Sequence, residues 1–425
     1  MDNTSRRTTG LFRQLWFQVL LGAALGVGIG YCFPKFGEAL KPLGDAFIKL
    51  IRMLLAPIIF GTIVVGIAKM GSIREVGRVG LKALVYFQIV SGLALAIGLI
   101  VANIMKPGVG MNIDASTIDT KSVADYTAAA QGHGAVNFLM NIIPVSVVDA
   151  FVQGNMLQII LFSVLFGLAL AQIPGRGGLV VEVIDSALQG FFGIVRFVMY
   201  LAPLAALGAM AFTVGKYGFG SLEAFGKLLG AVYLASLLFI IIVLGLIARL
   251  VRVSLWQFLK FFKDEIMIAF ATASTEAVLP RMMAKLEQLG CAKPVVGLVL
   301  PAGYTFNADG TSIYLTMGAI FIAQATNTPL TLHDQLLLLA VCLFTSKGSA
   351  GVAGAGFIAL AATLAATNRI PVAGLVLLAG IDRFVNSARA VTNLIGNGIA
   401  TIVVARWEKA FDEKQATTML NGKIS

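Results

Sequence analysis

Several long stretches of the 425-residue chain contain no Lys, Arg, Asp or Glu, and four of them stand out. They are residues 14–34, 83–105, 150–175 and 228–248. As a helix, each could cross a hydrocarbon layer of about 30 Å, where only helices and closed barrels satisfy their backbone hydrogen bonds. With 58% hydrophobic and only 12% charged residues, the chain is predicted to be an all-α integral membrane protein. Further apolar segments near 43–68, 189–215, 295–325 and 371–405 bring the predicted spans to about eight.

The positive charges, which give a net charge of +11, gather in alternate loops. Basic residues precede the first span and follow the second, sixth and last: Arg6, Arg7, Arg13; Lys69, Arg74, Arg78, Lys82; Arg249, Arg252, Lys260, Lys263; Arg406, Lys409, Lys414. Such loops face the cytoplasm, so both tails, residues 1–10 and 407–425, are predicted to be cytoplasmic. This distribution disfavours a nucleic-acid partner, which would need a continuous basic surface.

One predicted helix carries a polar stripe on an otherwise apolar background. Asp382, Asn386, Arg389, Asn393 and Asn397 recur at steps of three or four, which places them within roughly 80° of arc on one helix face. A charge at bilayer depth costs at least about 3 kcal/mol. The stripe is therefore expected to face protein, water or a ligand. A smaller pattern, the glycines of residues 22–30, permits close contact between helices.

Two segments before the stripe combine apolar arms with polar, small-residue centres. They are residues 256–290, centred on 271–276, and residues 335–368, centred on 345–356. Both are predicted to be re-entrant hairpins, whose irregular tips must be buried in protein or line a cavity. Residues 307–311, after the first hairpin, predict an interrupted helix, and the stripe follows the second. This repetition is typical of carriers built from two repeats, with the substrate between them.

Arg389 is the first candidate for substrate contact, because a guanidinium binds a carboxylate through two parallel hydrogen bonds. A second carboxylate could be held by backbone N–H groups at the hairpin tips. Nearby side-chain donors are Ser274, Thr275, Ser349 and Asn393. Two alternatives stay open: Arg389 could neutralise Asp382 or Asp309, and the hydroxyls could bond the carbonyl one turn back.

Five runs of sequence carry a resemblance to a known family. They are residues 279–282 (Leu-Pro-Arg-Met), 307–314 (Asn-Ala-Asp-Gly-Thr-Ser-Ile-Tyr), 346–348 (Ser-Lys-Gly), 380–384 (Gly-Ile-Asp-Arg-Phe) and 392–397 (Thr-Asn-Leu-Ile-Gly-Asn). From Phe12 to about Trp407 the chain resembles the glutamate transporter family of dicarboxylate and amino-acid:cation symporters. Within it, the chain looks most like the bacterial C4-dicarboxylate carriers.

The resemblance implies a homotrimer of elevator-type carriers in the bacterial inner membrane. Each protomer would have eight spanning helices, two re-entrant hairpins and inverted repeats. Residues 11–227 would form mainly the trimerisation scaffold, except for span three at about 80–105. That span and residues 228–406 would form the mobile transport domain.

The implied function is that of a symporter, not an enzyme, that imports succinate, fumarate or malate without a cofactor. In the family, the arginine at the place of Arg389 binds the distal carboxylate. The match sets Ser274, Thr275, Val352 and Gly356 at the substrate-enclosing tips, and Thr311 is a further substrate-binding candidate. Amino-acid carriers of the family have Asp where this chain has Asn386, and the carboxylate of that Asp binds the substrate ammonium group. The amide of Asn386 therefore favours dicarboxylates.

The coupling ion is predicted from the same comparison. Sodium-coupled relatives have Asp at the position of Asn397, Tyr and Thr at those of Phe87 and Val90, and Met at that of Ala308. Because sodium prefers several oxygen ligands with anionic charge among them, protons are the predicted driver. The coupling candidates are Asp309, Asp382, Glu276, Asn307, Gly303 and Asn397. Asp382 could equally be a hydrogen-bond anchor between helices, and the alternative function is a sodium-coupled aspartate or glutamate symporter.

Other classes have less support in the sequence. The chain has no Gly-x-x-x-x-Gly-Lys-[Ser/Thr] run, which disfavours an ATP-driven pump. No Ser–His or metal-ligand pattern favours an intramembrane enzyme, and Cys32, Cys291 and Cys342 indicate free thiols. A channel would need charged rings or a filter of repeated carbonyls.

Overall fold

A computed structural model of the chain describes residues 15–70, 73–114, 140, 142–173, 176–217, 226–346, 355–367, 369–379 and 382–420. The first half contains α1 (Leu15–Cys32), α2 (Pro34–Ala39), α3 (Lys41–Met70), α4 (Ile73–Met105), α5 (Val147–Gln153), α6 (Met156–Ala171), α7 (Arg176–Met199) and α8 (Ala202–Tyr217). The second half contains α9 (Gly226–Leu250, π-helical over Phe239–Leu244), α10 (Leu255–Phe261), α11 (Lys263–Thr272), α12 (Leu279–Gln288), α13 (Lys293–Phe306), α14 (Asp309–Ala325), α15 (Leu332–Thr345), α16 (Ala355–Thr367), α17 (Val376–Ala379), α18 (Asp382–Trp407) and α19 (Glu413–Leu420).

Within the described residues, four helices are long and apolar enough to cross a membrane. They are Arg74–Met105, Gly177–Met199, Gly226–Leu250 and Phe384–Trp407. Five shorter apolar stretches of helix accompany them: Phe17–Cys32, Ala56–Ala68, Gln158–Ala171, Ala202–Lys216 and Leu332–Leu343. The helical, multi-pass membrane class is confirmed. The count of about eight stays a prediction, because length and composition single out four helices among the described residues.

Helices α1 and α8 lie unusually close because glycines of α1 face the backbone of α8. A Cβ atom at Gly22, Gly26 or Gly30 would run into a carbonyl oxygen of Pro203, Leu207 or Ala211, respectively. Small residues four apart allow this approach in membrane helices. The predicted close contact at residues 22–30 is confirmed. Helix α3 packs against α8, α7 and α6, which completes one group of helices.

Helix α18 is the centre of a second group. It contacts α11, α13 and α14, and α4 packs along α14. Within the apolar window of α18, 89% of the residues are buried inside the protein, against 17% for α7. Since protein surrounds α18, its polar stripe is met by protein groups rather than by lipid.

The first predicted hairpin consists of α10–α11 and α12, within two residues of its predicted limits. The helix breaks at Ala273, whose backbone is left-handed with φ 51°. At the open end the two arms are joined by charge. The fully buried carboxylate of Glu265 accepts a hydrogen bond from Lys285 Nζ at 2.7 Å and forms an ion pair with Arg281, whose Nε lies 2.8 Å from Glu265 Oε1.

The second predicted hairpin is represented by its two arms, α15 and α16. They contact each other, and the hydroxyls of Thr345 and Thr363 lie 2.7 Å apart. The tip, residues 347–354, lies outside the described residues. Compared with the ion-paired first hairpin, the described arms here meet mainly through apolar and hydroxyl groups.

Candidate functional site

The predicted helix interruption is present and is stabilised by the stripe. Helix α13 ends at Phe306 and α14 begins at Asp309. The first N–H groups of a helix lack intrahelical partners. Here Asn393 supplies one, because its Oδ1 accepts from the Gly310 N–H at 2.7 Å, while its Nδ2 lies 3.4 Å from Thr311 Oγ1. Much of the Asn393 amide is therefore used to position the start of α14.

Arg389 lies one turn before Asn393 and is only 8% exposed. Its guanidinium stacks on the Tyr314 ring, with Cζ 4.8 Å from the ring centroid. Its Nη1 lies 3.6 Å from Asp382 Oδ1, an ion pair too long to be a good hydrogen bond. On the third side is Gly356, where a Cβ atom would lie 2.5 Å from Arg389 Cζ.

The guanidinium of Arg389 is thus fixed by contacts that leave hydrogen-bonding capacity. Its Nε makes no hydrogen bond to any of the described residues. Stacking and ion pairing orient the planar group without consuming this donor. The predicted alternative, neutralisation of Asp382, is present as the longer ion pair, so Asp382 touches Arg389 and can also orient it.

Asn386 connects the stripe to the tip of the first hairpin. Its Nδ2 donates to the Ala273 carbonyl at 2.9 Å. Two residues further along, the Thr275 carbonyl accepts a hydrogen bond from the Tyr304 hydroxyl at 3.1 Å. Half-buried Ser274 and Thr275 are therefore held against α18 and α13, and Glu276 begins the following 3-10 turn, Glu276–Val278.

Four of the six predicted coupling residues, Asn307, Asp309, Asn397 and Gly303, form a second, buried cluster, whereas Asp382 lies at Arg389 and Glu276 at the first hairpin tip. Asn307, Asp309 and Asn397 are each at most 1% exposed. Asn307 Nδ2 lies 3.0 Å from Asp309 Oδ2 and 3.4 Å from Asn397 Oδ1. Two glycines make room for them, since a Cβ atom at Gly396 would overlap Asp309 Oδ2 and one at Gly303 would overlap Asn397 Oδ1. Carboxylate and amide oxygens are suitable ligands for a hard cation, and the carboxylate can also hold a proton.

Two predicted site residues, Ser349 and Val352, lie outside the described residues. Sequence reasoning missed Tyr314 and Tyr304 as side chains that hold the site, and Gly310 and Gly396 as points of close approach. Tyr314 lies three residues after Thr311, on the same helix face, which is a signal that could have revealed it. The glycines gave no such signal, because their neighbours come from a distant part of the chain.

Comparison with known proteins shows the family of the chain. Residues 15–407 match the model of the "Sodium:dicarboxylate symporter family". The chain is 57% identical over 414 residues to a C4-dicarboxylate transport protein of Anaeromyxobacter sp. (strain K), covering 97% of this chain and 94% of that protein. It is 57% identical over 415 residues to the protein of that name from Paracidovorax citrulli (98% and 92% covered) and 54% identical over 419 residues to that from Geobacter sp. (strain M21) (98% and 95% covered). The chain belongs to the sodium:dicarboxylate symporter family.

Proposed function

We propose that this protein is a secondary active symporter that imports C4-dicarboxylates such as succinate, fumarate and malate, driven by protons. The family and the names of the relatives support a dicarboxylate transporter rather than an enzyme. One observation carries the assignment to this site: a buried guanidinium, Arg389, is oriented by an aromatic ring and retains an unused donor. A buried cation with free donors favours an anionic, planar partner such as a carboxylate.

The second carboxylate would be held at the first hairpin tip. Ser274 and Thr275 lie there, and Asn386 fixes the tip to the helix that carries Arg389. This arrangement gives two anchoring regions on either side of a short dianion. With an amide at position 386, the stripe offers no carboxylate there to an amino group, which supports dicarboxylates over aspartate.

Proton coupling is the finer part of the proposal, because the family description names sodium. The buried cluster of Asn307, Asp309 and Asn397 contains one carboxylate and two amides. A site for sodium would gain from further anionic ligands, whereas one carboxylate suffices to carry a proton. We infer that Asp309 is the proton carrier, with Asp382 and Glu276 as the other candidates.

The arrangement in the membrane extends the proposal. The packing of α4 on α14, and of α13 and α14 on α18, supports one transport domain. The close pair α1–α8 with α3 supports a separate scaffold. The alternating basic loops support cytoplasmic tails in a bacterial inner membrane. An elevator motion and a homotrimer rest on the family resemblance, and native mass spectrometry of the purified protein tests the trimer.

Uptake into proteoliposomes tests the function. Labelled succinate and labelled aspartate are offered under an inward pH gradient and, separately, under an inward sodium gradient. We expect succinate uptake driven by the pH gradient at constant sodium. Preference for aspartate would contradict the substrate assignment, and uptake driven by sodium alone would contradict the coupling assignment. Exchange of external for internal succinate distinguishes a carrier from a channel.

Arg389→Gln tests the site itself. Loss of the charged donors to one carboxylate should raise the KM for succinate at least about 10-fold, since one charge-assisted hydrogen bond contributes roughly 1.5–3 kcal/mol. The matched control is Arg369→Gln, whose guanidinium is 68% exposed and faces Asp334 at 3.6 Å. Normal succinate transport by Arg389→Gln would refute the site.

A further inference from the structure

A polar cavity lies away from the substrate site, at the end of the molecule where α9, α10, α18 and α19 meet. Its volume is about 340 Å³. Two arginines, Arg252 and Arg406, line it, together with the polar side chains of Ser254, Gln257 and Thr417. Only one acidic residue, Glu413, is among the lining side chains. The cavity is therefore a positively charged recess with hydroxyl and amide groups.

Arg406 is held in place by its neighbours but keeps an unused hydrogen-bond donor. Its guanidinium stacks on the Phe411 ring, with Cζ 5.1 Å from the centroid, and its Nη1 lies 2.8 Å from Glu413 Oε1. Its buried Nε has no hydrogen-bond partner among the described residues. A guanidinium has five N–H donors in a fixed fork. Arg406 can therefore donate hydrogen bonds to a second anion while it remains paired with Glu413.

Arg252 occupies a backbone position that glycine normally takes. It follows the end of α9 with φ 51°, and the Val253 N–H donates to the Ala248 carbonyl at 2.9 Å, which closes the helix. Glycine is the usual residue in this left-handed position, and another side chain costs roughly 1 kcal/mol there. The chain tolerates this cost and thereby sets a guanidinium at the cavity.

The end of α18 offers an internal comparison. Lys409 is also left-handed, with φ 56°, and the Ala410 N–H donates to the Ala405 carbonyl at 2.8 Å. Lys409 has the same charge and the same backbone geometry as Arg252. It does not, however, belong to the cavity lining. The two positions therefore separate an effect of the cavity from an effect of surface charge or backbone strain.

We propose that this cavity binds a phosphate group, carried by an anionic phospholipid or by a soluble phosphate. Arginine forks and hydroxyl groups match phosphate oxygens in geometry and charge. Two large apolar side chains on α9 and α10, Leu250 and Trp256, are 74% and 75% exposed. Exposed tryptophan and leucine beside basic residues are typical of the headgroup level of a membrane. These neighbours favour a lipid as the source of the phosphate.

Such a ligand would connect the C-terminal helix to the first hairpin. On its other side, α19 is already attached to the end of α12, because Gln415 Nε2 donates to the Gln288 carbonyl at 2.8 Å and the Asp412 N–H to the Gly290 carbonyl at 2.9 Å. A phosphate between Arg252 and Arg406 would add a connection from α19 and α18 to the start of α10. Both arms of the hairpin would then be tied to the C-terminal segment.

The test compares Arg252→Gly with Lys409→Gly in the full-length protein. Each variant loses one positive charge and replaces a strained residue by glycine, so both are expected to fold. Binding of dioleoyl-phosphatidylglycerol to the purified, detergent-solubilised protein is measured by native mass spectrometry and by the shift in unfolding temperature, with dioleoyl-phosphatidylcholine as the neutral comparison. Loss of the arginine contact should weaken phosphatidylglycerol binding about 10-fold in Arg252→Gly, as expected for one charge-assisted hydrogen bond, and less than about 2-fold in Lys409→Gly.

Two further measurements identify the source of the phosphate group and the charge that its binding requires. Glu413→Gln should bind phosphatidylglycerol more tightly, because it removes the only acidic lining residue and frees Arg406. Inorganic phosphate is titrated in parallel: stabilisation by phosphatidylglycerol alone assigns a lipid headgroup, and stabilisation by both assigns any accessible phosphate. Equal losses in the two glycine variants, or no preference for phosphatidylglycerol over phosphatidylcholine and no effect of phosphate, would overturn the proposal.

Discussion

Gly356→Ala should move the guanidinium of Arg389 without unfolding the protein. A Cβ atom at residue 356 would lie 2.5 Å from Arg389 Cζ, whereas carbon atoms in contact are separated by about 3.5–4.0 Å. The guanidinium would therefore have to move by roughly 1 Å or more. Because the guanidinium is the far end of a flexible side chain, it can move. Its stacking on Tyr314 and its ion pair with Asp382 would then be disturbed.

A displacement of this size should remove at least one of two parallel hydrogen bonds to a substrate carboxylate. The expected rise in KM for succinate is about 10–100-fold, since a charge-assisted hydrogen bond contributes roughly 1.5–3 kcal/mol. The assay is the initial rate of succinate uptake into proteoliposomes over a range of concentrations. Gly92→Ala is the control, because a Cβ atom at Gly92 has no neighbour within 4 Å. If Gly356→Ala kept a KM within about twofold of the parent protein, the guanidinium would not be the substrate anchor.

Three other substitutions test the remaining features. Asn386→Asp should lower succinate uptake several-fold, because the new carboxylate repels a dianion and the amide donor to the hairpin tip is lost; an unchanged initial rate would contradict this. Gly396→Ala should push on the carboxylate of Asp309 and weaken the response of uptake to an imposed pH gradient more than it changes the KM for succinate; the reverse pattern would dissociate Asp309 from coupling. Burial acts to raise the pKa of the Glu408 carboxyl. Hydrogen bonds from Arg78 and Lys82 outweigh burial and lower this pKa below its ordinary value. A lowered folded-state pKa stabilises the protein above the ordinary value and loses this effect as the pH falls through the folded pKa, so Glu408→Gln should lower the unfolding temperature at pH 7 and cease to do so well below about pH 4.

Much of the fold could be predicted because local rules determine it. The spacing of polar residues from Asp382 to Asn397 predicted one helix face, and α18 has that face turned towards protein. The first hairpin, and the described arms of the second, begin and end within a few residues of the predicted limits; at the first tip, small polar residues between apolar arms interrupt the helix in a recognisable way. The number of spans stays a prediction, because length and composition single out four described helices and do not decide which of the others cross.

The internal connections of the site could not be predicted in the same way. Asn386 and Ala273 are 113 residues apart, and Asn393 and Gly310 are 83 apart. Which amide meets which carbonyl depends on how α18 rotates and translates against its neighbours. Periodicity specifies the face of a helix but not the height at which it meets another helix. The roles of Tyr314 and Gly396 depend on the same unknown.

The contacts divide the polar stripe into two kinds of residue, and this division has a measurable consequence. Asn393 bonds to a backbone N–H group of the interrupted helix, so its replacement should disturb the geometry for every substrate alike. Arg389 instead has a donor without a partner among the described residues, so its replacement should affect anionic substrates in particular. Comparing succinate with its monomethyl ester separates these effects. Loss of Arg389 should remove most of the discrimination between the two compounds, because the guanidinium distinguishes a charged carboxylate from a neutral ester. Loss of Asn393 should reduce the uptake of both compounds and leave their ratio unchanged.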